Sequence, residues 1–290
     1  MSSKIIILLP VHNRIDVTRR FLECLNRQTY LNWHLVLIDD GCTDGTPEMA
    51  KSMISSITIL KGDGNLWWAG ALHCAYKYLK KKREFKNDDI VLIINDDVLI
   101  ESDYLSTVAA TFNNNKFQKI LVPSIAVDNS NGKPDGAGVH YDNKRFTFTQ
   151  TDEIDEINCL SSWGLFLRFD DFVESDGFYP KLIPHYLSDF EYTYRQIVKN
   201  NLKPVVNKEL KIIFFPEESG YDHPSKESSF VKYTKALFSN KNKSNPVHWI
   251  VFVLLTGKIP WSFFKILKII IRTSGKMVVV LFRGKKTNEI

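Results

Sequence analysis

Ile90-Val-Leu-Ile-Ile-Asn95-Asp96-Asp97-Val98 is the stretch from which the rest of the chain can be read. Its aliphatic and β-branched residues run together without alternation, the pattern of a strand covered on both faces of a sheet. The run then stops at two adjacent carboxylates. An unpaired buried charge costs several kcal/mol, roughly, even after relaxation, so acids at such a place need water, a cation or hydrogen-bond donors. Open α/β sheets bind their ligands outside the carboxyl ends of the strands, and hard divalent ions take carboxylate oxygens while holding phosphates on their other side. The stretch thus points to a Mg2+ or Mn2+ site for a diphosphate, with Asp97 as its protein ligand. Asn and Asp also close strands through local Asx turns, and on these residues alone both explanations stand.

The same buried-strand pattern recurs at Lys4–Leu9, Leu35–Ile38 and Ile57–Leu60. Helical spacing lies between these runs, over Asp16–Gln28, from Pro47 onward and up to Lys82. Strands alternating with helices need crossover connections, so a mostly parallel sheet is expected. Asp39 and Asp40 end one strand and Asn95, Asp96 and Asp97 another, which a parallel sheet puts on one edge. One acid there can accept from a base N–H or a ribose hydroxyl while another faces a metal. From Val122 the pattern shortens and mixes, with aromatic alternation in Arg145-Phe-Thr-Phe-Thr149 that reads as antiparallel hairpins. Leu160–Arg168 reads as a strand opening on a close glycine approach, and Asp189–Asn200 as a helix.

Composition sets outer limits. The 290 residues are 44% hydrophobic and 24% charged, ordinary for a globular chain. The four cysteines, Cys24, Cys42, Cys74 and Cys159, show no zinc or disulfide spacing, and a reducing compartment suits them. The net charge of +5 lies largely beyond residue 225, and no nucleic-acid partner is expected. The N-terminal apolar run is too short for a signal peptide and reads as the first strand. Residues 247–290 differ in kind: Trp249–Leu255 is apolar, Phe263–Arg272 sets cations at helical intervals among large apolar residues, and Met277–Phe282 precedes Arg283-Gly-Lys-Lys286. No segment has the roughly 20 apolar residues of a spanning helix. Helices lying in a membrane interface, with Trp249 and Trp261 at its surface, fit this pattern, as does a helical pair packed on the core or on a partner. The chain is divided accordingly into 1–225, itself split into a nucleotide-binding-type α/β half (1–121) and a mixed half (122–225), and a basic, apolar helical region (226–290).

Neither Gly-x-Gly-x-x-Gly nor a Walker loop is present, so the phosphates would be held by metal. Leu9-Pro-Val-His-Asn13, Ile38-Asp-Asp-Gly-Cys-Thr-Asp-Gly-Thr46, Gly64-Asn-Leu-Trp-Trp-Ala-Gly-Ala71, Asn95-Asp-Asp97 and Pro184–Arg195 follow one another over residues 4–225. In that order and spacing they resemble the motifs of the family 2 inverting glycosyltransferases of the GT-A fold. The resemblance implies an α/β fold with a Rossmann-like, mostly parallel central sheet, a mixed acceptor-side half and C-terminal amphipathic helices. It places Pro10, His12, Asn13, Asp39, Asp40 and Asn65 around the donor nucleotide, with Asn95 and Asp96 on ribose or sugar. Trp68 would line the donor site, Trp163 and Gly164 would border the donor sugar, and Arg195 would contact the diphosphate or pair with a neighbouring acid. Asp97 would bind the cation, with His223 as a further ligand. Asp189, or Glu191 in its stead, would be the general base. Asn95 departs from the commonest pattern, which has an acid there, and an amide is a weaker cation ligand.

The function expected is transfer from a dTDP- or UDP-sugar, on a rhamnosyltransferase-like motif variant dTDP-rhamnose, to a polyprenyl-diphosphate-linked glycan in bacterial surface-polysaccharide (O-antigen-type) assembly. The enzyme would sit on the inner face of the cytoplasmic membrane. A nucleotidyltransferase and a non-catalytic sugar- or lipid-binding module are the alternatives, the first lacking its basic Gly-rich N-terminal loop.

Overall fold

The structure, a computed structural model, describes all residues except 1, 83, 117, 135–136, 216–228, 258–260 and 287–290. In chain order the first half contains β1 (Ile5–Val11), α1 (Ile15–Asn26), β2 (Trp33–Asp39), α2 (Thr46–Met53), β3 (Ile57–Lys61), α3 (Trp67–Lys82), β4 (Ile90–Ile93), β5 (Val98–Leu99) and α4 (Tyr104–Asn114). Next come β6 (Ile120–Pro123), β7 (Ile125–Asp128), β8 (Gly138–Asp142), β9 (Thr147–Thr151), β10 (Leu165–Arg168), α5 (Phe169–Glu174), α6 (Ser188–Tyr194), β11 (Lys203–Pro204) and β12 (Lys211–Phe214). The chain closes with α7 (Phe230–Leu237), α8 (Pro246–Thr256) and α9 (Trp261–Lys286).

Seven strands form the main sheet in the order β11-β6-β10-β4-β1-β2-β3. β4, β1, β2 and β3 run parallel, whereas β10 lies antiparallel between β4 and β6. The absence of alternation in the buried runs has a direct cause. Ile5, Ile7 and Leu9 pack into one core with α1, α2 and α4, and Ile6 and Leu8 into a second core with α3 and α5. Both faces of β1 are covered, so neither tolerates polar residues. The fold is therefore mixed α/β with helices on both sides of a mostly parallel sheet, and the acceptor-side strands β6, β10 and β11 extend that sheet.

β8 and β9 make the antiparallel hairpin expected from the aromatic alternation. Tyr141 and Phe148 from this hairpin meet Phe190 of α6 and Trp249 and Phe252 of α8 in a separate apolar cluster, which fixes α8 against the acceptor half. Two details differ from the periodicity. The helix expected over Asp189–Asn200 is α-helical only to Tyr194. It continues as a π-helical turn at Arg195–Lys199, where Asn200 N–H reaches back to the Arg195 carbonyl at 3.1 Å. The apolar segments around Phe263–Arg272 and Met277–Phe282 belong to one 26-residue helix that runs through Gly275, where an added Cβ would meet only open space. Among the described residues no helix is long and apolar enough to cross a membrane.

Candidate active site

The carboxyl ends of β1 and β4 open into a cleft of about 480 Å3. β1 supplies Pro10, Val11 and His12, and the residues after β4 supply Asn95, Asp96 and Asp97. The turn into α3 adds Gly64, Trp67 and Trp68, Trp163 stands at the approach to β10, and His185, Tyr186 and Lys241 close the far side. The parallel register puts the ends of β1 and β4 side by side, which is why motifs some 80 residues apart converge.

The two adjacent acids have different environments. Asp96 is buried, its Oδ2 accepting from Thr18 Oγ1 at 2.7 Å and its Oδ1 lying 3.2 Å from Arg14 Nη1. Desolvation pushes its carboxyl up to about 6, against the pull of Arg14 and Thr18. Asp97 Oδ2 is 3.4 Å from Arg14 Nη2. The buried Asn95 Oδ1 has no hydrogen-bond partner among the described residues, so this amide oxygen at the cleft wall is left for a ligand. No group of three or more His, Cys, Asp or Glu able to hold an ion occurs among the described residues. Such a site suits an ion that keeps waters and takes one or two carboxylates plus substrate phosphates, the habit of Mg2+. Asp97 fits that demand, and Asp96, taken up by Thr18 and Arg14, does not add to it. His223 lies outside the described residues.

Several residues expected on the nucleotide turn out to hold the loops that shape the cleft. Asp39 Oδ1 accepts from Cys42 N–H at 2.7 Å. The carboxylate of Asp40 accepts main-chain N–H groups from Gly64 (2.9 Å), Leu66 (3.0 Å) and Trp67 (3.2 Å). It borders the cleft, yet its oxygens are taken by backbone. These bonds pin Trp67 at φ +57°, in the left-handed region, a conformation that costs about 1–3 kcal/mol where it persists and that clusters at ligand clamps. Asn13, at φ +49°, accepts Thr43 N–H on its Oδ1 at 2.7 Å. His12 Nδ1 donates to the Asp40 carbonyl at 2.6 Å while its ring stays exposed at the cleft. Asn65 faces a neighbouring pocket beside His73 and Lys77 instead. Gly164 is also displaced from the expected role. A Cβ there, at φ +78°, would meet Ser124 Oγ at 2.5 Å and the Tyr104 hydroxyl at 2.6 Å, so this glycine exists to let β10 seat between its neighbours.

The two acids of α6 have unlike surroundings. Glu191 and Arg195 are both buried and joined by two hydrogen bonds, Nε to Oε1 at 2.9 Å and Nη2 to Oε2 at 3.1 Å. Arg195 also donates to the carbonyls of Ser175 and of Gly177, the latter at 2.7 Å. This corrects Glu191 as the stand-in base, since Arg195 neutralises it, and of the two roles open to Arg195 it is the pairing with a neighbouring acid that the structure shows. Asp189 differs. It is half-buried, lines a second groove that shares Tyr186 with the cleft, and has no cationic partner among the described residues. Desolvation pushes its carboxyl up to about 6, opposed only by main-chain N–H groups including those of Phe190 and Ser162. Ser162 Oγ in turn accepts from Trp68 Nε1 at 3.2 Å, which ties the base candidate to the cleft wall. Leu187, at φ +73°, sets the turn from which α6 starts.

Arg14, His185, Tyr186 and Lys241 border the cleft without having been singled out from the sequence. Arg14 directly follows His12-Asn13, and His185-Tyr186 opens the motif that carries Asp189, so adjacency to a motif was the available signal. His185 is pushed down to about 4, first by burial and then by His248 and Lys241, and is neutral at neutral pH.

Residues 6–175 match Glycosyl transferase family 2, more than half of the chain. No curated protein matches its sequence. Among solved structures, the chain is similar to a mannosyltransferase from Pyrobaculum calidifontis in complex with GDP-Man and Mn2+ (11% identity, 98% of this chain and 87% of that one, TM-score 0.52). It is similar as well to S. aureus TarS residues 1–349 in complex with UDP-GlcNAc (16%, 81% and 67%, TM-score 0.56). A third is GalNAc-T7 with UDP, GalNAc and Mn2+ (12%, 89% and 53%, TM-score 0.60), of which the chain spans about half. At these identities the likeness is one of fold, and the fold is that of the GT-A glycosyltransferases.

Proposed function

The chain belongs to glycosyl transferase family 2, and we propose that it moves a sugar from a nucleotide-diphosphate donor to a hydroxyl of a lipid-linked glycan, with inversion at the anomeric carbon. The observation that carries this reading is the pairing of two unlike acids. Asp97 stands at the sheet edge inside the cleft, and Asp189, without a cation among the described residues, lies on the groove that shares Tyr186 with the cleft.

A single displacement needs a base on the acceptor side. Asp189, once ionised, accepts the proton of the acceptor hydroxyl as its oxygen bonds to the anomeric carbon. The carbon–oxygen bond to the donor breaks on the opposite face, and its electron pair leaves with the nucleoside diphosphate. Asp97 would hold Mg2+ or Mn2+, which when bound offsets the charge on the leaving diphosphate. Arg14, poised between Asp96 and Asp97, keeps these acids compensated before a donor arrives. The Trp67 and Trp68 rings at the cleft exclude water from the transfer.

The GDP-Man and UDP-GlcNAc of the fold neighbours support a nucleotide-sugar donor here. The Gly64–Ala71 variant favours dTDP-rhamnose or a related dTDP- or UDP-sugar. Peripheral attachment at the inner face of a bacterial cytoplasmic membrane is supported by α9, whose Phe264, Leu267, Ile271, Val278 and Phe282 are all exposed along one helical stripe. The test is nucleotide release and thermal stabilisation of the purified chain across UDP-, dTDP- and GDP-sugars with Mn2+ or Mg2+, then with EDTA. Release from one donor, lost in Asp97→Ala, supports the reading and names the sugar. If no nucleotide stabilises the fold with metal present, the transferase reading falls in favour of a binding module.

A further inference from the structure

The groove that Asp189 borders is about 580 Å3 and is built mainly from four pieces, with Leu237 of α7 beside them. The hairpin gives Phe146 and Phe148, α6 gives Asp189 and Phe190, and α8 gives Pro246 and Trp249. The fourth piece is one stripe of α9: Ile269, Arg272, Thr273 and Lys276. Those four recur at i, i+3, i+4 and i+7, so they stand on one face of the helix, away from the exposed apolar stripe. Lys243, before α8, adds a third cation. Among the described residues Asp189 is the only acid of the lining, and neither Arg272 nor Lys276 is among the groups that act on its carboxyl. The aromatic floor is rigid: Phe148 stacks on Phe190 at 5.6 Å, and Phe146 meets Trp249 edge to face at 5.5 Å.

Aromatic faces for sugar rings, guanidinium and ammonium groups for an anion, and a base in one groove define a ligand with three matching parts. We propose that this groove holds the phosphate-bearing end of a lipid-linked acceptor, with Arg272 and Lys276 on its phosphate, the aromatic floor under its sugar and Asp189 at the hydroxyl that reacts. This rests on the transferase reading above and deepens it in one respect. The phosphate site and the base line one groove of a size that suits one or two sugar rings with a phosphate. The sugar accepted is thus the first or second from the phosphate, and the lipid runs out along α9 towards its apolar face. The reaction that supplies this substrate is a transfer of a sugar phosphate onto a lipid phosphate.

The test uses the full chain and calorimetric titration of farnesyl phosphate below its micellar concentration, with farnesol, inorganic phosphate and phosphatidylglycerol vesicles as comparisons. Saturable binding of farnesyl phosphate, weakened tenfold or more in the Arg272→Glu/Lys276→Glu double variant and at least tenfold stronger than farnesol, supports the proposal. A second variant, Arg272→Gln, removes the charge without reversing it and should weaken binding in the same direction. Equal binding of farnesol, or unchanged binding in both variants, overturns it. Displacement by phosphatidylglycerol vesicles at equal lipid concentration also overturns it, since the groove would then be a site for membrane headgroups. Thermal stabilisation by UDP, dTDP or GDP, each with Mn2+, is read on the same samples. If it persists while farnesyl phosphate fails to bind, only the acceptor groove is wrong; if it is absent in the unaltered chain, the transferase reading itself has failed.

Discussion

Replacing Asp189 with Asn tests the base assignment through stability as well as through rate. Its carboxyl is carried from the ordinary 3.8 up to about 6 because the folded chain strips water from the ionised form. A folded-state value above the unfolded one means that the native state binds the proton more tightly between those two pH values. Stability from this group is therefore fully present below pH 3.8 and is lost as pH rises through about 6. At about 1.4 kcal/mol per pH unit the difference amounts to some 3 kcal/mol, and solvent reaching the half-buried carboxylate brings it nearer 1–2 kcal/mol. An Asn carries no such penalty. Urea unfolding at pH 4.5 and pH 7.5 should show the native protein losing about 1–2 kcal/mol more than Asp189→Asn across that interval, Asp96 titrating equally in both. Turnover should fall by about 10² to 10⁴, and the native rate should climb through pH 6 and level off above it. Parallel stability lines for the two proteins would refute the desolvation argument. A variant that keeps its turnover would remove Asp189 as base.

Glu191→Gln should behave in the opposite way. By leaving Arg195 buried without its anion it should lose about 3–5 kcal/mol in urea unfolding, while the fraction still folded keeps its turnover; a turnover loss without a stability loss would return Glu191 to the reaction. Arg14→Met should raise Mn2+ affinity about tenfold, followed by electron paramagnetic resonance without nucleotide, because a competing positive charge beside Asp97 is gone; weaker Mn2+ binding would contradict that role. Asp97→Asn should abolish the Mn2+-dependent part of nucleotide thermal stabilisation while leaving the melting temperature of the bare protein within a few degrees. Gly164→Ala, forced into φ +78° with its Cβ 2.5 Å from Ser124 Oγ, should lose about 2 kcal/mol or more by the same unfolding measurement.

The parallel core was legible because its chemistry is local to each strand. Ile5–Leu9 and Ile90–Ile93 carry no polar residue on either face, and only a strand covered twice permits that. Asp97 and Asp189 were singled out by the motifs they sit in, and the structure places the first on the cleft and the second on the neighbouring groove. Hydrogen bonding to the main chain was hidden, since an aspartate that holds three backbone N–H groups, as Asp40 does, has the same letter as one that meets a ribose. The Glu191–Arg195 pair was readable in principle, for an acid and a base at i and i+4 face each other on a helix. Its burial was not, because that depends on Ser175 and Gly177 from a distant turn. Gly164 showed a need for closeness without showing to what.

The reversed strand β10 has a consequence for how the chain is made. While residues leave the ribosome in order, β1 to β4 can assemble early, as each has its parallel neighbour already made. β6 cannot join them, for its two neighbours are β10 and β11, and both are synthesised later. Until residue 168 has emerged, β4 has an open edge of the kind that pairs wrongly with other chains. The nascent donor half therefore has to wait, its edge exposed, for a short strand that arrives from the other half and inserts backwards.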